Sequence, residues 1–156
     1  MGEHTRPTII EKEEFKVTTA LDLSTSYHGR KCIVTGASGI VGSEVVRILL
    51  ESGAVVAAFG NENEKMKSIK KYAGKEGTNF FKYTVDFTLH PLDLEGKFRE
   101  AMKDLKGELH HLFVCHGYAA PGGIRVLNLK IWDRCMNVNV RSMFMVVSLA
   151  IPFMKL

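Results

Sequence analysis

The chain has 156 residues, 46% of them hydrophobic and 24% charged, a balance close to that of an ordinary soluble domain. This excludes a disordered chain, a collagen-like repeat and a disulfide-built miniprotein, and the length suits one domain with a real core. A net charge of +4 permits anionic ligands without calling for nucleic acid.

Residues 1–28 show weak periodicity and read as an N-terminal extension lying on the surface of a domain that occupies 29–156. From there the pattern becomes regular. Lys31 to Thr35 is a short β-rich run ending at Gly36. Val41, Val45, Ile48 and Leu49 then fall at helical spacing, and Gly53 supplies the stop. Ala54 to Phe59 reads as a second buried strand, Glu62 to Tyr72 as a charged helix, and Phe80 to Val85 as a third strand ending at Asp86. Leu94, Phe98, Ala101, Met102 and Leu105 form the clearest amphipathic stripe, closed by Gly107. Leu109 to Cys115 is a fourth strand, followed by a small-residue loop from Gly117 to Gly123. Asn128 is a candidate N-cap for a long last helix with Trp132, Met136, Val140, Phe144 and Val147 near one face. Short apolar strands alternating with helices predict an α/β fold, a doubly wound parallel sheet covered on both faces.

The turn between the first strand and helix reads Thr35-Gly36-Ala37-Ser38-Gly39-Ile40-Val41-Gly42. Glycines there let the backbone turn sharply and approach a pyrophosphate, while the helix start offers free N–H groups and a positive dipole end. In that strand–turn–helix context the glycines point to a dinucleotide. The structural alternative is a tight turn whose glycines serve packing alone.

At these residues the sequence resembles the short-chain dehydrogenase/reductase family. Two further stretches carry the resemblance. Leu112-Phe113-Val114-Cys115-His116-Gly117 is similar to the family's Leu-Val-Asn-Asn-Ala-Gly, and Trp132 to Arg141 is similar to its fourth helix. The resemblance covers about residues 21–156. It implies a Rossmann-type sheet, here incomplete, with strand order 3-2-1-4, and hydride transfer between NAD(P)H and a carbonyl or alcohol. The cofactor-binding positions it implies are Gly36, Ser38, Gly39, Ile40, Gly42, Asn61, Asp86, Phe87, Cys115, His116 and Gly117. Asp86 matches an adenine-contacting Asp, with Phe87 beside it. Asn139 matches the Asn of the catalytic proton relay; a helix residue bonding to nearby backbone is the alternative. The glycine spacing, Gly36-x-x-Gly39-x-x-Gly42, is that of the family's extended or atypical subtypes. At the end of the second strand stand Gly60 and Asn61, with neither the carboxylate that favours NAD nor an Arg. The expected cofactor is NADP, with NAD as the alternative.

The family's Ser and Tyr-x-x-x-Lys are expected after the fourth helix, and the sequence ends at Leu156. The one Tyr-x-x-x-Lys present, Tyr27 to Lys31, precedes the first strand and is expected at the wrong end of the sheet. Activity from these residues alone is therefore not expected. The other reading is a non-catalytic dinucleotide-binding or structural subunit of a larger assembly. An apolar fourth strand at the sheet edge, and a last helix apolar on several sides, call for a covering polypeptide. The covering partner is expected to be a second copy, in a homo-oligomer, or another subunit.

The remaining signals are weaker. Cys32, Cys115 and Cys135 are odd in number and irregularly spaced, which suits an intracellular, cytoplasmic setting. No secretory signal is visible, and the longest apolar stretch, Met143 to Met154, falls short of the ~18–20 residues of a membrane span. No metal site is expected: His111 and His116 bracket a strand, about 16 Å apart at roughly 3.3 Å per residue, too far for one ion. The lysines from Lys65 to Lys75 read as a solvated helix face.

Overall fold

The computed structural model describes residues 26–61, 79–88, 91–120, 122–125 and 127–155. The expected helix from Glu62 to Tyr72, and nearly all of the extension over 1–28, lie outside the described residues.

Four strands form one parallel sheet: β1 (Lys31–Thr35), β2 (Val55–Gly60), β3 (Phe80–Thr84) and β4 (His111–Val114), in the order β3-β2-β1-β4. This is the expected topology. The order places β1 at the centre, with Thr35 level with Phe59 on one side and Val114 on the other. Strand bounds sit within two residues of those expected, because Gly60 still pairs with Thr84 while Leu109 bridges to Met154 outside the strand.

Alternation along β1 divides the core. Cys32 and Val34 face one way, toward α1 (Ile40–Glu51), with Val46, Leu49 and Leu50. Ile33 faces the other way, toward α2 (Pro91–Asp104) and the last helix, among Phe59, Tyr83, Phe98 and Leu105. Every residue of the expected stripe on α2 is buried. Gly53 and Gly107 end α1 and α2 with φ of +75° and +72°, a left-handed conformation that glycine adopts at no steric cost.

The expected stripe on α1 is corrected by about one position. Val41 is 66% exposed, while Gly42, Val46, Leu49 and Leu50 are buried. The cause is Gly42, which packs on the backbone of Gly36 and so fixes the rotation of the helix. A glycine adds nothing to an apolar count, so periodicity misplaces the face.

The last helix is continuous in three parts: α3 (Leu129–Met136), a π-helical turn (Asn137–Arg141) and α4 (Ser142–Ala150). Asn128 caps it, its side chain accepting the Ile131 N–H at 3.0 Å. Its inner stripe is Val138, Ser142, Val146 and Ala150, all buried. Trp132, Met136, Val140, Phe144 and Val147, the bulky stripe legible in the sequence, face outward; Phe144 is 72% exposed. By length and composition Leu129–Phe153 is long and apolar enough to cross a membrane, which the sequence reading did not expect. Its inner stripe lies on the sheet domain, the arrangement of a covering helix.

Candidate functional site

The carboxyl ends of the central strands meet at one cavity, where β1 turns one way to β2 and the other way to β4, the usual crevice of an open parallel sheet. The cavity is about 270 Å³ and is lined by Gly36, Ser38 and Gly39 from the first turn, Gly60 and Asn61 after β2, and Asp86, Phe87 and Thr88 after β3. His116, Gly117 and Tyr118 after β4, with Arg134 and Val138 on the last helix, complete it.

Close backbone packing shapes the first turn. Gly36 has φ of +64°, and a Cβ there would stand 2.5 Å from the His116 amide nitrogen. A Cβ on Gly42 would stand 2.2 Å from the Gly36 carbonyl oxygen, and one on Gly60 would stand 2.9 Å from the Ser38 nitrogen. The turn is tied to β2 by the Ala37 N–H donating to the Phe59 carbonyl at 2.9 Å. Helix α1 begins with Gly39 as its cap, with no side-chain hydrogen bond and no acidic residue in its first turn. Its first N–H groups thus keep the positive end of the helix dipole open toward an anion. Ile40 stands at this helix start, 80% exposed and outside the cavity lining, and Gly42 is buried beneath it.

After β4 a side chain builds the floor. His116 is 9% exposed and stacks face to face on Phe87, with ring centroids 3.9 Å apart. Its Nδ1 lies 2.7 Å from Thr35 Oγ1, and its Nε2 lies 2.7 Å from Ser142 Oγ. Ser142 donates to the Val138 carbonyl at 2.7 Å, so its oxygen accepts from Nε2–H. Thr35 accepts the Cys115 N–H at 3.2 Å; its one hydroxyl proton can reach the Phe113 carbonyl at 3.4 Å or Nδ1 at 2.7 Å, and the nearer acceptor, Nδ1, is the one left open when Nε2 carries the proton. The pattern fits a neutral imidazole with its proton on Nε2. Desolvation holds its proton affinity below the ordinary histidine value, against a smaller opposing effect of the Val138 carbonyl. The network joins β1, β4 and α4 beneath the cavity.

Cys115 lies outside the cavity lining, partly buried against the α1 side of the core, and burial pushes its thiol pKa up. Asp86 accepts the N–H and hydroxyl of Thr88 at 2.8 and 2.7 Å, a tight turn that holds its carboxylate at the cavity wall. Asn139 sits behind the lining. Its Oδ1 accepts the Tyr118 N–H at 2.8 Å and its amide donates to the Tyr118 carbonyl at 2.7 Å. Tyr27 packs its ring against His111 at the start of β4, 5.1 Å between centroids, at the amino end of the sheet and away from the cavity. Among the described residues no group of three His, Cys, Asp or Glu side chains gathers as a metal site requires.

Sequence reasoning did not single out Thr35 or Ser142 as partners of His116, nor Tyr118, Arg134, Thr88 and Val138 as lining. For Arg134 and Val138 a signal existed, since both stand inside the Trp132 to Arg141 stretch that carries the family resemblance, and Tyr118 directly follows the other such stretch.

Comparison with known proteins agrees with this geometry. A family model described as short chain dehydrogenase matches residues 30–156. Short-chain dehydrogenase reductase 3a of Arabidopsis thaliana is 32% identical over 114 residues, covering 72% of this chain and 43% of that protein. Dehydrogenase/reductase SDR family member 6 of Aquarana catesbeiana is 30% identical over 119 residues, covering 76% of this chain and 44% of that protein. A solved short-chain dehydrogenase/reductase from Serratia marcescens superposes with a TM-score of 0.74 at 26% identity, covering 82% of this chain and 52% of that one. The chain spans about half the length of these relatives, or somewhat less. With its parallel sheet in the order β3-β2-β1-β4 and its glycine turn under the first helix, the chain belongs to the short-chain dehydrogenase/reductase family of oxidoreductase-like domains.

Proposed function

We propose that the cavity binds a nicotinamide dinucleotide, with NADP preferred over NAD, as the cofactor-binding part of an oxidoreductase acting on a carbonyl or alcohol. The observation that carries this reading is the turn from Gly36 to Gly42. Any side chain on Gly36 or Gly42 would collide with backbone, and the uncapped start of α1 stands beside the cavity. Such a cradle fits a pyrophosphate. At about 270 Å³ the cavity suits the adenosine-phosphate portion of the cofactor better than the whole. Asp86 and Phe87 would flank the adenine, Ser38 and Gly39 the phosphates, and His116 and Gly117 the floor. Gly60 and Asn61 carry no carboxylate to repel a ribose phosphate, which supports NADP. When bound, the nicotinamide supplies the hydride chemistry. Asn139, the residue proposed for the proton relay, uses both ends of its amide on the Tyr118 backbone behind the lining, so its part there would be to hold that loop in place.

Calorimetric titration of the full chain with NADPH and NADH tests the reading. Saturable binding, tighter for NADPH, is expected; no heat with either ligand overturns it. No turnover of a carbonyl panel is expected from these 156 residues. The Tyr-x-x-x-Lys they contain, Tyr27 to Lys31, stands at the far end of the sheet from the cavity.

A second reading, a non-catalytic subunit of an assembly, is favoured by one observation. Where the family has Asn-Asn-Ala-Gly, this chain has Val114-Cys115-His116-Gly117, and His116 is committed to internal hydrogen bonds. In either reading the outward face of the last helix, with Trp132, Val140 and Phe144 exposed, is expected to be covered by a second copy or another subunit. Sedimentation of the full chain should show a dimer or larger species that Phe144→Glu dissociates; a wild-type monomer at micromolar concentration contradicts the self-association. The free cysteines suit an intracellular place for the protein.

A further inference from the structure

Arg134 is the one lysine or arginine among the described residues that line the cavity. Its guanidinium lies over the Tyr118 ring, 4.4 Å from the centroid, a stacking that orients the planar fork. Tyr118 is itself a fixed platform, since Asn139 holds its backbone N–H and carbonyl together at 2.8 and 2.7 Å. The helix that carries Arg134 is anchored at its start by the Asn128 cap. Among the described residues Arg134 makes no ion pair. The cavity's carboxylate, Asp86, is turned instead to Thr88. A pre-oriented guanidinium, without an ion pair among the described residues and lining the same cavity as a glycine-rich helix start, is arranged for an anion. A planar fork matches a phosphate with two parallel hydrogen bonds.

We propose that Arg134 binds a phosphate group of the dinucleotide held in this cavity, with Tyr118 and Asn139 as its positioning residues. The proposal rests on the dinucleotide reading above. It gives the anion two sets of donors within one cavity: the N–H groups of the α1 start and the Arg134 fork. Both the ribose phosphate of NADP and the pyrophosphate common to NADP and NAD have the chemistry this fork recognises.

The test is calorimetric titration of the full chain and its Arg134→Gln variant with NADPH and with NADH. Gln removes the charge but keeps one amide donor, a net loss of about one charge-assisted hydrogen bond that predicts affinity weakened about tenfold. Weakening confined to NADPH assigns the fork to the ribose phosphate, and equal weakening for both assigns it to the pyrophosphate; either outcome supports the proposal. Arg134→Lys keeps the charge without the fork and should fall between wild type and Arg134→Gln. Tyr118→Leu should weaken binding in the wild-type background and have little further effect in Arg134→Gln, a non-additivity that general loosening of the loop would not produce. Affinities for both ligands within twofold of wild type overturn the proposal while leaving the dinucleotide reading intact. A wild-type chain that binds neither ligand overturns both.

Discussion

The turn after β1 and the turn after β4 press against each other at the carboxyl end of the sheet, and they are built by opposite means. The first is shaped by missing side chains: Gly36, Gly42 and Gly60 each occupy a place where a Cβ would stand within 3 Å of backbone. The second is shaped by a side chain: His116 fills the floor, stacks on Phe87 and bonds to Thr35 and Ser142. The contact between them is the His116 amide under Gly36. The first turn thus depends on steric clearance and backbone hydrogen bonds, with no ionisable group, whereas the second depends on a side-chain hydrogen-bond network and on the charge state of one imidazole. Their responses to mutation and to pH should differ accordingly.

The largest effect is expected from closing the first turn. In Gly42→Ala the new methyl would stand 2.2 Å from the Gly36 oxygen and 3.0 Å from the Ala37 Cα, so the clash is with backbone and not with the end of a flexible side chain. A loss of about 3 kcal/mol is expected, which lowers the melting temperature by roughly 6–12 °C for a chain of this size. A melting curve within 2 °C of wild type (a shift of about 0.5–1 kcal/mol at this size) would show that the clearance is not needed.

Removing the second turn's side chain comes next. His116→Ala leaves Thr35 Oγ1 and Ser142 Oγ without their imidazole partner and opens a gap beside Phe87, a loss of about 2–3 kcal/mol. The same variant isolates a pH effect. Folding lowers the proton affinity of His116, so once the pH falls below about 6.5 the unfolded chain takes up a proton that the folded one refuses. The network's contribution is therefore complete above that pH and is lost as the pH falls toward the depressed folded value. His111 is shifted in the same direction, chiefly by desolvation and further by Arg30 and His110, so the difference between wild type and His116→Ala is the informative quantity. Denaturant curves of the two proteins that stay parallel from about pH 7.5 to 5 would contradict the account.

Asn139→Ala should be milder, about 1–2 kcal/mol, because both Tyr118 groups it holds regain water once the loop loosens. Hydrogen exchange at the Tyr118 amide should quicken, and an unchanged rate would mean that the clamp contributes nothing. Asn139→Asp keeps an acceptor for the Tyr118 N–H but presents an oxygen to the Tyr118 carbonyl, so it should not restore protection. The smallest effect is a gain. Gly96 lies in the interior of α2, exposed, with nothing within 4 Å of an added Cβ. Gly96→Ala should raise stability by about 0.5–1 kcal/mol, and a loss there would show that counting steric clearance misjudges glycines elsewhere in the chain.

The contrast between the two turns also explains how much was legible in the sequence. The strands, the α2 stripe and the Asn128 cap follow from local patterns, because apolar alternation, helical spacing and capping act within a few residues of one another; the strand order follows instead from the family resemblance. The glycine turn was legible for the same reason: its work is done by spacing along the chain. At the β4 turn the resemblance marks His116 and Gly117 but not the partners of His116, because Thr35 and Ser142 stand 81 and 26 residues away and no local pattern joins them. On α1 the error had a single source, Gly42, an inward position with no side chain to count. On the last helix the bulky residues point outward and the packed stripe includes Ser142 and Ala150. There the apolar pattern records a surface, and the small residues record the contact with the sheet.

The central claim is that these two turns together form one dinucleotide floor. Hydrogen–deuterium exchange of the full chain with and without saturating NADPH tests it most directly, since it reads the location of binding as well as its existence. The account predicts slowed exchange at residues 36–42 and 115–118 together, with little change at the amino ends of the strands around Lys31 and His111. Protection absent from both turns, or confined to other regions of the chain, would contradict it.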